Sequence, residues 1–289
     1  MQEKIKEYLE WKGTYAPRAS INYKIWLIRF SSLCDNKPLE HYAISDIVKY
    51  RSWLEVRYNS ATIQFAIVVL KNFFAFWQQQ HYRCISPSLI KLPRIHVKSH
   101  RAITASEFEK IASVIPSNEF MSLRDLVMVH LLWDTGIRVS ELCDLEVTNI
   151  DENKTSTVIA TKKTGKPRII MWSQTTQEYL MKYMAIRLGL HKTNGAKSLF
   201  VGWCTRGWTI RLTPRSVQRR VQYYVHKAGI KEKITPHSFR HGWAHKRRDQ
   251  LAPLAFIQKG LGHSNPISTF VYEQYNDLEF ENTARAYLN

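Results

Sequence analysis

Residues 236–275 read PHSFRHGWAHKRRDQLAPLAFIQKGLGHSNPISTFVYEQY, and the rest of the chain is organised around them. His237 and Arg240 stand three positions apart, so on a helix they share one face. His263 follows a glycine in LGHS, and Tyr272 comes nine positions later. Two imidazoles, a guanidinium and a phenol with polar neighbours form a set suited to a phosphodiester. Taken singly each has a bland explanation: a histidine after glycine is usually a cap or a core residue, and a tyrosine in an amphipathic run usually packs. Tyr275 also competes with Tyr272 for any role given to a phenol.

Upstream of this stretch, PRSVQRRVQYYVHKA (residues 214–228) is a basic helical pattern carrying Arg215, Arg219, Arg220 and His226 between aromatic residues. Alone, a solvated face would account for it. Before it, residues 155–172 alternate around Lys-Thr-Gly-Lys-Pro and predict a β-hairpin with a basic turn. Lys162, Lys163, Lys166 and Arg168 are expected to crowd its tip. Helical pattern resumes over 174–188, and NGAKSLFVGWCTRGW (residues 194–208) reads as a loop. Residues 122–145 predict helix, turn, helix, with Thr135-Gly136 ending the first. Arg138 then stands at a helix N-terminus, where backbone N–H groups favour an anion, and Glu141 lies one turn on to orient its guanidinium.

The first hundred residues predict four helices. Ile5, Tyr8, Leu9 and Trp11 open the first, and Ile25, Leu27, Ile28 and Phe30 mark the apolar face of the second. Ser45 is expected to cap a third helix carrying Trp53, Leu54 and Val56. Ser60 is expected to cap the fourth, whose apolar residues run nearly all round from Ile63 to Trp77, as in a buried central helix. KLPRIHVKSH (residues 91–100) has a proline, no periodicity and five Lys/Arg/His side chains. It reads as a linker able to lie along a phosphate backbone through Lys91, Arg94 and Lys98. A further helix should open after Thr104 or Ser106, with Glu107 and Glu109 in its first turn.

Composition narrows the class. With 289 residues and 44% hydrophobic content the chain can bury real cores and is not a disordered polymer. No unbroken apolar run reaches membrane-spanning length, and the start MQEKIKEYLEWKG resembles no signal peptide. The four cysteines, Cys34, Cys84, Cys143 and Cys204, lack metal-ligand spacing. A reducing cytoplasmic setting with no metal and no cofactor is expected. Net charge is +18, from 42 Lys and Arg against 24 Asp and Glu, and it is uneven. Residues 1–100 hold 15 basic and 7 acidic side chains, residues 101–150 hold 4 and 8, and residues 151–289 hold 23 and 9. Two basic blocks flanking an acidic one suit a long polyanion, nucleic acid before anionic membrane.

Four motifs in order, TGIRVSEL, TKKTGKPR, HSFRH and LGHSNPISTFVY, resemble the tyrosine recombinases of the phage-integrase/Xer group. The resemblance covers nearly the whole length. It implies a mostly helical fold with a small β-sheet or hairpin: a four-helix core-binding domain over 1–96, a linker at 97–101, and an α+β catalytic domain over 102–289, closing as a C-shaped clamp on DNA. It implies Tyr272 as nucleophile, Arg138 and Arg240 as an arginine clamp, and His237 and His263 binding or shuttling protons at the phosphate. Lys163 would be the proton donor, with Lys162 beside it as the alternative, and Glu141 fills the acidic position after the first arginine. DNA contacts are expected from Lys162, Lys166, Arg168, Arg215, Arg219, Arg220, Lys91, Arg94 and Lys98.

The implied function is site-specific recombination of double-stranded DNA. Four protomers, with or without a partner recombinase or accessory protein, would exchange strands through a Holliday junction at the nucleoid, away from membranes. A catalytically silent DNA-binding regulator and a type IB topoisomerase-like relaxase are the alternatives. The chain departs from the family pattern at Leu251-Ala252-Pro253, where a glycine is usual, and at Trp243 and Lys246-Arg247-Arg248.

Overall fold

The computed structural model describes residues 1–93, 101–160, 167–189, 196–204 and 207–262. The chain divides into two compact units, Met1–Lys98 and Ser99–Asn289.

In the first unit, α1 (Gln2–Tyr15), α2 (Pro17–Leu33), α3 (Ile44–Glu55) and α4 (Ser60–Gln79) build one core. Helix α4 is apolar on most of its circumference, and Ala66, Leu70, Phe73, Phe74 and Trp77 are all buried. Tyr8 of α1 sets its ring edge-on to Phe73, and Leu27 and Phe30 of α2 close the same core. By length and composition α4, at 20 residues and a mean hydropathy of 1.4, is long and apolar enough to cross a membrane, although Gln64, Lys71 and Asn72 break its apolar run. Here that apolar surface is spent on packing.

Three local expectations are corrected in this unit. The α2 face that faces inward is Tyr23, Leu27 and Phe30, while Ile25 is exposed. Helix α3 is not capped by Ser45: the Asp46 carboxylate reaches back to accept the Ala43 N–H at 2.8 Å, so the helix begins two residues earlier, at Ile44. Helix α4 is capped by Asn59, whose Oδ1 accepts the Thr62 N–H at 2.9 Å, which leaves Ser60 as the first helical residue.

The second unit contains α5 (Ala105–Ser113), α6 (Phe120–Thr135), α7 (Val139–Asp144), the strands β1 (Ser156–Ala160) and β2 (Pro167–Met171), and α8 (Gln174–Gly189). Strands β3 (Val201–Cys204) and β4 (Gly207–Arg211) follow, then α9 (Pro214–Lys227), α10 (Pro236–Asp249) and α11 (Leu254–Leu261). A mostly helical fold with small antiparallel sheets is therefore present as expected. Thr104 caps α5 in a reciprocal box with Glu107. Helix α6 is the axis: Leu123, Val127, Leu131 and Leu132 are buried on different sides of it, and α8 and α10 pack along it.

Strands β1 and β2 pair antiparallel with Val158 opposite Ile169 and Ile159 opposite Arg168. A second antiparallel pair, β3 with β4, begins within residues 194–208, where the sequence reads as a loop, and runs on to Arg211. Gly202 and Gly207 break the alternation that marks a strand, which is why the pattern was not visible.

Two departures from the family pattern find their physical reasons in α10. Leu251 takes the left-handed conformation, φ 57°, where glycine is favoured. The Leu251 N–H reaches the Arg248 carbonyl at 2.7 Å and the Ala252 N–H the Arg247 carbonyl at 3.0 Å, so the helix ends in a Schellman turn despite the leucine. Trp243 is buried and donates its indole N–H to the Asp134 carbonyl at 2.8 Å. A Cβ on Gly260 would lie 2.5 Å from the Trp243 ring, so the large indole depends on that glycine.

Candidate active site

The site grows from the end of α6. Thr135 closes the helix, and Gly136 turns the chain through φ 58°, a region open to glycine. The turn releases Arg138 as the residue before α7. Helix α11 ends the same way, in Gly262 at φ 63°. These two glycine turns hold the two arginines in a crossed arrangement. The carbonyl of Gly136, beside Arg138, accepts Nη1 of Arg240 at 2.8 Å. The carbonyl of Gly262, at the end of α11, accepts Nη2 of Arg138 at 3.2 Å. Arg240 also donates Nη2 to the Leu261 carbonyl at 2.5 Å. Arg138 and Arg240, 102 positions apart in the sequence, are thus tied to the same pair of turns.

Glu141 completes the frame and is buried. Its Oε1 accepts Nη1 of Arg138 and Nη1 of Arg168, each at 3.0 Å. Its Oε2 accepts the Arg138 backbone N–H at 3.0 Å and Nη2 of Arg168 at 2.6 Å. Burial works against its charge, yet hydrogen bonds and attraction from Arg168, then Arg138, hold the carboxyl below the ordinary carboxylate value. The N-terminal amide expected to face an anion is therefore already used by Glu141. Anion attraction here comes from the guanidiniums: three arginines against one carboxylate leave a net positive site. The Arg138 side chain is 32% exposed, so it has an open side toward a ligand.

Helix α10 exposes His237 from an otherwise buried first turn, with its ring nearly perpendicular to that of the buried His241, centroids 4.5 Å apart. His241 was not singled out from sequence, although its spacing of four from His237 puts it on the same face.

Arg168 is corrected. It is not a tip residue facing DNA but is buried, with its side chain 4% exposed and both terminal nitrogens on Glu141. The alternation of β2 places it inward with Ile170, opposite the exposed Ile169. Arg220 has partners that the sequence did not indicate: its Nε lies 2.5 Å from Asp125 and its Nη2 2.7 Å from the Tyr224 hydroxyl, while its side chain stays 37% exposed. Asp125 is fully buried beside Arg124, which also donates to the Val201 carbonyl at 2.7 Å. Asp125 is the anchor that sequence reading missed.

Arg215 and Arg219 lie exposed on α9, on a stripe with Tyr223 and His226, opposite the buried Val217, Val221 and Tyr224. Lys91 is exposed in the first unit. Lys162, Lys163, Lys166, Arg94, Lys98, His263 and Tyr272 lie outside the described residues, as do Tyr275 and the segment after it.

Comparison with known proteins gives a consistent family. Residues 101–279 match the model of the phage integrase family, a span that includes His263 and Tyr272. The tyrosine recombinase XerC of Myxococcus xanthus is 27% identical over 99% of this chain and 95% of its own length. The tyrosine recombinase XerA of Pyrococcus furiosus is 31% identical over 78% of this chain and 74% of its own. Among solved structures, the Tn1549 transposon integrase in complex with a circular intermediate DNA superposes with a TM-score of 0.79 at 17% identity, covering 98% of each chain. The fold, the crossed arginines and these matches agree: the chain belongs to the phage integrase family, the tyrosine recombinases.

Proposed function

We propose that this protein cuts and rejoins double-stranded DNA at specific sites by way of a 3′-phosphotyrosyl intermediate. The crossed anchoring of Arg138 and Arg240 on the Gly136 and Gly262 turns carries the reading. It fixes two guanidiniums before substrate arrives, and fixed donors at developing charge are commonly worth about 2.7–4 kcal/mol each. Their forks suit the two non-bridging oxygens of a phosphodiester, which a lysine ammonium does not match.

In the proposed step Oη of Tyr272 forms a bond to phosphorus as the bond from phosphorus to the 5′-oxygen breaks. The phenol, with an ordinary pKa of about 10, loses its proton in positive surroundings. Lys163 gives a proton to the departing 5′-oxygen, and His237 and His263 bind the phosphate or carry protons. The phosphotyrosyl ester conserves the bond energy, so a 5′-hydroxyl from a second duplex reverses the reaction without a nucleotide cofactor. Four protomers on two sites, passing through a Holliday junction, complete the exchange. Arg215 and Arg219 on α9, the hairpin lysines Lys162 and Lys166, and Lys91, Arg94 and Lys98 contact the duplex.

The test begins by selecting bound duplexes from a random library and nicking the recovered site next to the cleavage point. The full chain should become covalently attached to a 3′ end, Tyr272→Phe should bind without attaching, and two intact sites should exchange strands. Attachment by Tyr272→Phe and none by Tyr275→Phe would move the nucleophile to Tyr275. Binding with no attachment by the parent chain would favour a silent regulator.

A further inference from the structure

Arg168 is the second residue of β2, directly after the basic turn, and the fold draws it inward. Its two terminal nitrogens take one oxygen each of Glu141, at 3.0 and 2.6 Å. The same carboxylate receives the backbone N–H and Nη1 of Arg138. A Cβ added at Gly262 would lie 2.8 Å from Nη1 of Arg168, so this side chain also packs on the turn whose carbonyl holds Arg138. Both anchors of Arg138, a carboxylate and a carbonyl, therefore rest on Arg168.

A lone carboxylate on a glutamate side chain rotates about its last bond, and a guanidinium held by it would swing with it. The two-pronged grip of Arg168 fixes the carboxylate plane, and that plane sets the direction of the Arg138 guanidinium. We propose that Arg168 is a positioning residue for the reaction: it touches no DNA, and it aims Arg138 at the scissile phosphate through Glu141 and Gly262. The inference rests on the reading of Arg138 as part of a phosphate clamp. Lysine at this position would keep the charge but meet only one oxygen at a time.

The test uses the full chain and the nicked site in two forms, one with an ordinary scissile phosphate and one with a neutral methylphosphonate. A neutral centre carries one unit less negative charge in the transition state, so it asks less of Arg138. On the phosphate, Arg168→Lys should slow covalent attachment by about 10²-fold, the scale of an ångström-sized misplacement of a reacting group. On the methylphosphonate, the defects of Arg168→Lys and Arg138→Ala, each relative to the parent chain on that substrate, should both shrink well below their size on the phosphate. An equal defect on both substrates would mean general structural damage or another route of action, and an undiminished rate on the phosphate would mean no role; either overturns the proposal. If Arg168→Lys does not fold, Glu141→Gln, which breaks the same link from the other side, must show the same dependence on substrate or the proposal fails. A parent chain that attaches to neither substrate would instead refute the recombinase reading itself.

Discussion

Single side chains set the tolerances of this site. Glu141 is the sole acidic partner shared by Arg138 and Arg168 among the described residues, and its depressed pKa has a sign that can be measured. Unfolded, the carboxyl titrates near 4.5; folded, it titrates lower. Its contribution is complete above that value and is lost as pH falls from there through the folded pKa. The parent chain should therefore lose thermal stability more steeply than Glu141→Gln as pH falls below about 4.5. At neutral pH the variant should be less stable by about 3–5 kcal/mol, because a buried pair has lost one charge. Parallel pH profiles would show that the carboxylate contributes nothing. Leu251 offers the opposite effect. It is 78% exposed, so its side chain buries little, while its left-handed backbone costs roughly 1–2 kcal/mol relative to a right-handed one. Glycine would remove that cost but loosens the unfolded chain by roughly 0.4–1 kcal/mol. Leu251→Gly should raise the urea midpoint of the second unit; an unchanged or lower midpoint would mean that the turn is unstrained.

Among the elements, α9 divides its arginines between two tasks. Arg219 is exposed, whereas the partly exposed Arg220 is bound to Asp125 and Tyr224. If α9 lies against DNA, Arg219→Gln should reduce the slope of log affinity against log salt by about 1. Arg220→Gln should leave the slope unchanged and cost about 1–3 kcal/mol of stability, since a buried acceptor loses a partner. Equal changes in slope would contradict the division. Much at this scale was legible in the sequence: α6 and α7 as helix, turn, helix over residues 122–145, the end of α6 from Thr135-Gly136, the hairpin from its alternation. The inward side of Arg168 was legible too, because it keeps phase with Ile170 and Trp172, but its charge argued for the surface until a partner was visible. The crossing of Arg138 and Arg240 was not legible, since the acceptors are backbone carbonyls of Gly136 and Gly262 and carry no side-chain signature. Asp125 was hidden for a related reason: in an otherwise apolar helix a lone Arg-Asp pair gives no hint of the element it anchors.

At the scale of the molecule, two cores are built from separate stretches of chain, one around Phe73 and Trp77 and the other around Leu131 and Leu132. Each unit therefore has the apolar burial needed to fold by itself. Charge is distributed differently from chemistry. Residues 1–98 hold 15 basic and 7 acidic side chains, a surplus of eight, but none of the proposed catalytic groups. A polycation binding a duplex releases counterions in proportion to the phosphates it neutralises, with a slope of about −0.9 for each. If the first unit contributes grip and the second unit chemistry, the two properties should separate on truncation. A chain comprising residues 99–289 should melt cooperatively and still attach to a nicked site at high protein concentration and low salt. Its affinity should fall, and its salt slope should be shallower than that of the full chain by about 0.9 for each phosphate that the first unit neutralises. A truncated chain with the full salt slope would assign the electrostatic grip to the second unit alone. A folded truncated chain unable to attach under saturating conditions would mean that the first unit is needed for the chemical step as well as for the grip.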